Sequence, residues 1–159
     1  MSTEEIFNYV KVNDQLSTAG QPTEDQLRDA AEEGFTAVIN LVATNPPYTP
    51  ADEGSLVRAL GMAYHYIPVE WNHPTDADFA AFEQAMSATT GQRTLIHCAA
   101  NFRVTAFYAL YAHKHLGWSA AEADAFRTRI WAGSDYPVWE AFIARKRAEM
   151  EQDNGRSGS

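Results

Sequence analysis

An α/β fold, with a mostly parallel central sheet flanked by helices, is what this sequence predicts, and three observations predict it. Short apolar runs alternate with helical patterns along the chain, the order that builds strand–helix–strand crossovers. Two of the runs, Phe35 to Val42 and Thr94 to Ile96, are nearly continuous rather than alternating, as in strands covered on both faces. The helical patterns between them carry their own start and stop signals.

Taken in order, Phe7 to Val12 and Leu16 to Thr18 read as short strands around an Asn13-Asp14 turn, ahead of Ala19-Gly20-Gln21-Pro22. Thr23, with Gln26 following in the same turn, forms a capping box, and Gly34 is placed to end a helix from Glu24 to Glu33. The strand Phe35 to Val42 leads into a loop marked by Pro46, Pro47 and Pro50, then a helix from about Asp52 to Leu60. Tyr64 to Val69 is the next strand, and Glu70 to Thr75 the loop that leaves it. Thr75 or Asp76 caps a helix to about Thr89, and Gly91-Gln92 leads to the strand at Thr94. Three helices follow: Val104 to Leu116 stopped by Gly117, Ser119 to about Trp131, and Val138 to about Met150. Residues 1–151 read as a single domain and 152–159 as a disordered polar tail.

Composition narrows the function. A formal net charge of −9 over 159 residues excludes a general nucleic-acid or anionic-membrane binder, because both partners need a basic face that displaces counterions. An anionic substrate must instead be held by a local pocket. The single cysteine has no partner for an internal disulfide, so its thiol is free for chemistry. Met1-Ser2-Thr3-Glu4-Glu5 lacks the basic and apolar regions of a signal peptide, and a cytoplasmic location is expected.

That cysteine stands in His97-Cys98-Ala99-Ala100-Asn101-Phe102-Arg103-Val104-Thr105, where an apolar strand turns into an apolar helix. The unpaired N–H groups of a first helical turn and the helix dipole make such a junction an anion site. A cysteine facing those amides, with a guanidinium nearby, is a nucleophile beside an anion cradle. Loops of this kind often place a glycine at positive φ where Asn101 stands, and asparagine is among the few other residues that tolerate that conformation. His97 reads as a residue that orients the loop. His113 and His115 point to different faces of a helix, so no metal site is expected.

His-Cys at a strand end, a short loop, an arginine and a hydroxyl residue resemble the cysteine-dependent protein tyrosine and dual-specificity phosphatases. Leu16-Ser17-Thr18-Ala19-Gly20-Gln21-Pro22 and Gly34-Phe35-Thr36-Ala37-Val38-Ile39-Asn40-Leu41 are similar to the opening of small bacterial members. The resemblance implies a protein tyrosine phosphatase-like fold, no cofactor, and a phosphorylated protein or small phosphomonoester as substrate. It makes Cys98 the phosphoryl-accepting nucleophile, and Arg103 with the amides of Ala99, Ala100, Asn101 and Phe102 the phosphate cradle. Thr105 would hydrogen-bond the Cys98 sulfur.

Two departures stand out. The family pattern has one more residue between cysteine and arginine, so that Val104 occupies the usual arginine position here. A one-residue move along a helix turns a side chain by about 100°. The family's general acid is an aspartate on the loop after an earlier strand, and the matching position is Trp71. Glu70 and His73 are the candidate substitutes, while Trp71 is a candidate wall for an aromatic substrate ring. The short loop leaves rhodanese-type sulfur transfer as an alternative, and the missing aspartate leaves a pseudophosphatase that binds phosphate or phosphorylated partners.

Overall fold

A computed structural model describes residues 2–43, 52–131 and 136–157, the side chains of 153–157 excepted. The expected loop prolines Pro46, Pro47 and Pro50 lie outside these residues. A single 3-10 turn, Thr3–Glu5, precedes β1 (Val10–Asn13) and β2 (Leu16–Ala19), followed by α1 (Glu24–Glu32), β3 (Ala37–Val42), α2 (Glu53–Ala59) and β4 (Ala63–Val69). Next come α3 (Asp76–Ala88), β5 (Thr94–His97), α4 (Phe102–His115), α5 (Ala120–Thr128) and α6 (Pro137–Ser157).

The strands form one sheet in the order β1-β2-β5-β3-β4. Only the β1–β2 pair is antiparallel, and β5 lies between β2 and β3 with parallel neighbours on both sides. The fold is therefore the expected α/β arrangement, and its central strand is the one that ends at the cysteine. Every residue of β5 is buried, as the short apolar run requires of a strand with helices on both faces.

Alternation along the strands sorts the core into two layers. Val38 and Leu95 pack with Leu27, Ala30 and Val57 of α1 and α2. Ile39, Leu41 and Ile96 pack on the other face with Phe79, Phe82, Phe107 and Trp139 of α3, α4 and α6. Phe107 meets both Phe79 and Phe82 edge to face, at centroid distances of 5.6 and 5.7 Å. Burial of each such ring contributes about 1.5–3 kcal/mol, and α4 is thereby fixed under the sheet.

Local signals set the helix starts. Thr23 with Gln26, Thr75 with Asp78 and Ser119 with Glu122 all form reciprocal capping boxes. Several boundaries differ from expectation: β1 runs Val10–Asn13 rather than Phe7 to Val12, and α5 ends at Thr128 rather than about Trp131. Helix α4 begins at Phe102, ahead of Val104, because Asn101 turns into the left-handed region (φ 69°, ψ 8°) and starts the helix at once. Helix α6 continues through Ser157, past the expected end at Met150, although Asp153, Asn154, Gly155 and Ser157 are weak helix formers. No helix among the described residues is long and apolar enough to cross a membrane.

Candidate active site

Strand β5 carries Cys98 to the middle of the sheet's C-terminal edge, where ligands of parallel sheets bind. The cysteine N–H donates to the Ala19 carbonyl at 3.3 Å, continuing the β2 pairing by one residue. Cys98 is only 1% exposed, yet it lines a cavity of about 270 Å³ together with Trp71, Ala99, Ala100, Phe102, Arg103 and Tyr136. The thiol is thus reached through that cavity.

The loop after Cys98 is held by its carbonyls. His97 Nδ1 lies 3.3 Å from the Cys98 carbonyl oxygen, and the Gln21 N–H donates to the Ala99 carbonyl at 2.9 Å. Asn8 Nδ2 donates to the Ala100 carbonyl at 2.9 Å. The Thr105 N–H donates to the Asn101 carbonyl at 3.1 Å, and its hydroxyl donates to the Phe102 carbonyl at 3.0 Å. Peptide groups are planar and trans, so a carbonyl turned outward turns the next residue's N–H the opposite way. The N–H groups of Ala99, Ala100, Phe102 and Arg103, residues that line the cavity, have no protein acceptor among the described residues. They stand as free donors at the N-terminus of α4.

Close approach is needed to tie the loop down this way. Gly20 bridges to Ala100, and a Cβ at Gly20 would sit 2.8 Å from the Ala99 oxygen and 2.9 Å from the Phe7 oxygen. Glycine is required there because any side chain would push the loop out. Asn101 donates from Nδ2 to the Asn8 carbonyl at 2.8 Å and to Thr18 Oγ1 at 3.0 Å.

Behind the loop is a buried polar network. His97 Nε2 lies 2.6 Å from Glu53 Oε2, and Gln21 Nε2 donates to Glu53 Oε1 at 2.8 Å. Burial pushes the Glu53 carboxyl up, but the facing His97 and hydrogen bonds from His97, Gln21 and Tyr64 outweigh it and hold the group below its ordinary value. Sequence reasoning found His97 as a loop-orienting residue and missed Glu53, which reads as an ordinary first-turn acid of α2.

Arg103 is the decisive side chain. Its Nε and Nη1 are buried and have no hydrogen-bond partner, and its guanidinium carbon lies 5.6 Å from the centre of a Trp71 ring. A guanidinium is all donors and no acceptor, so buried N–H groups without partners cost free energy until an acceptor reaches them. An oxyanion in the Cys98 cavity is such an acceptor.

The other expected residues are placed differently. Thr105 does not hydrogen-bond the Cys98 sulfur: its one proton goes to the Phe102 carbonyl, and its oxygen accepts from Trp131 Nε1 at 2.9 Å. Glu70 and His73 are exposed and do not line the cavity; the His73 N–H donates to the Glu70 carbonyl in a tight turn. That turn sends Trp71 inward instead. Trp71 packs against Phe102, Trp131, Tyr136 and Trp139, and its carbonyl accepts from Trp139 Nε1 at 2.8 Å.

Comparison with known proteins meets this geometry. The family model of the beta-lactamase hydrolase-like protein, phosphatase-like domain, matches residues 8–114. The chain belongs to that family. Relatives include beta-lactamase hydrolase-like proteins of Xylella fastidiosa, 35% identical over 105 residues, and of Agrobacterium fabrum, 34% identical over 104. Each match covers 64% of this chain and 24% of the relative, so the chain spans about a quarter of the length of those proteins. Among solved structures, a DUF442 protein of Shewanella putrefaciens is 34% identical, with a TM-score of 0.82 over 92% of this chain and 95% of its own. P. aeruginosa TpbA, 16% identical, covers 91% of both chains at a TM-score of 0.69. The S. cerevisiae PP-IP phosphatase SIW14, 12% identical, covers 94% of both at 0.72. These two share the fold, which is that of the cysteine-dependent tyrosine phosphatases. Cys98 and Arg103 lie within the residues matched to that phosphatase-like domain.

Proposed function

We propose that this phosphatase-like domain hydrolyses phosphomonoesters through a phosphocysteine intermediate on Cys98, and that it favours aryl esters such as phosphotyrosine. The Arg103 guanidinium beside Cys98, with its buried Nε and Nη1 unpartnered, is the observation that carries this reading. The Cys98 thiolate attacks phosphorus in line, the S–P bond forms, and the P–O bond to the leaving group breaks. The amides of Ala99, Ala100, Phe102 and Arg103 and the Arg103 guanidinium stabilise the equatorial oxygens. Water then attacks phosphorus, the P–S bond breaks, and inorganic phosphate and the thiolate are regenerated.

The leaving end favours aryl esters for a chemical reason. Trp71 lines the cavity at the sequence position that matches the family's acid, and an indole cannot protonate the leaving oxygen. A phenolate leaves without that help and takes its proton from water; an alkoxide does not. Trp71, Phe102 and Tyr136 supply apolar walls for the ring. A TpbA structure in complex with pTyr provides a precedent on the same fold.

Hydrolysis of p-nitrophenyl phosphate and of an alkyl phosphate by the full chain, with and without Cys98→Ser, tests the reading. Aryl hydrolysis should be readily measured, alkyl hydrolysis far slower, and Cys98→Ser should lower the aryl rate by at least about 10³-fold while inorganic phosphate still binds. Phosphate binding without Cys98-dependent turnover would mark a pseudophosphatase. Sulfur transfer remains a second reading because the short loop matches the size that rhodanese-type enzymes use. Transfer from thiosulfate to cyanide exceeding aryl phosphate hydrolysis would put it first.

A further inference from the structure

We infer that Trp131, just past α5, is a positioning residue that sets specificity for an aromatic leaving group: it stands behind the aromatic walls of the Cys98 cavity and fixes their orientation. The inference rests on the proposed phosphatase reading and names the residue on which its preference for aryl esters depends.

Trp71, Phe102 and Tyr136 line the cavity with Cys98 and Arg103. All three are only partly buried, and a ring at a cavity wall turns about two χ angles unless something holds it. A fourth ring does so. Trp131 is 4% exposed and does not line the cavity. Its indole stacks on the Phe102 ring with centroids 5.3 Å apart and planes 10° apart. The same indole meets Tyr136 at 5.2 Å and Trp71 at 6.1 Å. Trp139 meets Trp71 and Trp131 but neither of the other walls, so among the described residues Trp131 is the one aromatic ring outside the lining that touches all three.

Packing alone leaves an indole free to turn within an apolar bed, and a polar handle removes that freedom. Trp131 Nε1 donates to Thr105 Oγ1 at 2.9 Å, and the Thr105 hydroxyl donates to the Phe102 carbonyl at 3.0 Å. Phe102 is therefore held twice, at its ring by the indole face and at its carbonyl through Thr105. The indole bond is buried, so its loss strands a donor where no water replaces the acceptor. Behind the indole, the Arg127 guanidinium carbon lies 5.1 Å from a Trp131 ring centre, and the Arg127 carbonyl accepts the Trp131 backbone N–H at 3.2 Å. These contacts tie Trp131 to α5 on one side and to the walls on the other. They bear on how a ring is received and leave the phosphoryl group to the cradle.

Two phosphonates, which lack a scissile ester, separate the two ends of a substrate. Phenylphosphonate carries a ring and methylphosphonate does not, and each is read as a competitive inhibitor of p-nitrophenyl phosphate hydrolysis by the full chain. The unmodified chain should bind phenylphosphonate about tenfold more tightly than methylphosphonate. Trp131→Phe keeps a ring against Phe102 and removes the N–H, and Trp131→Leu removes both. The preference should fall to about threefold in the first and disappear in the second, with methylphosphonate inhibition unchanged within about twofold. A lowered melting temperature with the full preference intact would show that Trp131 serves stability alone and overturn the inference. An equal loss for both phosphonates would also overturn it, by placing the effect on the cradle. Should the leucine variant not fold, Thr105→Val takes its place: it keeps the indole, removes its acceptor, and should lower the preference to about threefold. If the unmodified chain does not hydrolyse p-nitrophenyl phosphate, the phosphatase reading fails and this inference with it. If it does, and the two phosphonates inhibit equally, this inference alone fails.

Discussion

Two loops leave the C-terminal edge of the sheet beside the cavity, and they are built in opposite ways. In the loop after β5 the carbonyls from Cys98 to Phe102 are directed at partners outside, while the amides of Ala99, Ala100, Phe102 and Arg103 and the Nε and Nη1 of Arg103 stand beside the cavity without protein acceptors. In the loop after β4 the polar side chains of Glu70 and His73 face solvent, and Trp71 packs inward on a bed of aromatic rings. One loop is a polar cradle held from behind. The other is an apolar wall with its acids outside. Under the proposed reading, the difference means that this site would concentrate its chemistry on the phosphoryl group and leave the departing oxygen to its own stability.

The hardest blow to that contrast falls on the cradle. Arg103→Ala should lower kcat/KM for p-nitrophenyl phosphate by about 10²–10³-fold, and Arg103→Lys should recover little, because a point charge does not reproduce the planar fork. A loss below tenfold in steady-state kinetics would mean that the amides alone hold the anion.

Next in size is the support behind the cradle. Glu53→Gln should cost about 3 kcal/mol in denaturant unfolding, since it breaks a buried pair and leaves His97 without its carboxylate. The sign with pH follows from the lowered carboxyl. Glu53 binds its proton less tightly folded than unfolded, so its contribution is complete above its ordinary value of 4.5 and is lost as pH falls through the lower folded value. Unfolding followed from pH 7 downward should show that acid-side loss, and Glu53→Gln should show less of it. An unchanged slope would remove Glu53 from the account.

The smallest effect belongs to the wall. Glu70→Gln and His73→Ala should each leave p-nitrophenyl phosphate turnover within about twofold, as for exposed positions away from the cavity. A drop of tenfold or more in either variant, with loss of the basic side of the pH–rate profile, would install that residue as a general acid and erase the contrast between the loops.

Much of the site was readable in advance. Cys98 at a strand end, the amides that follow it, Arg103, and Asn101 at positive φ are local features, and each stands where strand-to-helix chemistry puts it. Thr105 was misplaced because a hydroxyl has one proton, and the nearby Phe102 carbonyl takes it while Trp131 occupies the oxygen. The acid search named Glu70 and His73 for their chemistry, but direction within a turn is settled by what packs beneath it. Here four aromatic side chains draw Trp71 in and turn its neighbours out.

The amino-acid order by itself determined the succession of strands and helices, the capping boxes that start α1, α3 and α5, and the cysteine-and-arginine loop. All of these depend on residues within a turn or a strand of one another, where periodicity and backbone preference act directly. Tertiary structure alone decided that Asn8 clasps Ala100 across 92 positions, that Glu53 meets His97 across 44, and that Trp139 anchors Trp71 across 68. Those meetings follow from β5 lying between β2 and β3, because sheet order chooses which distant loops share one edge.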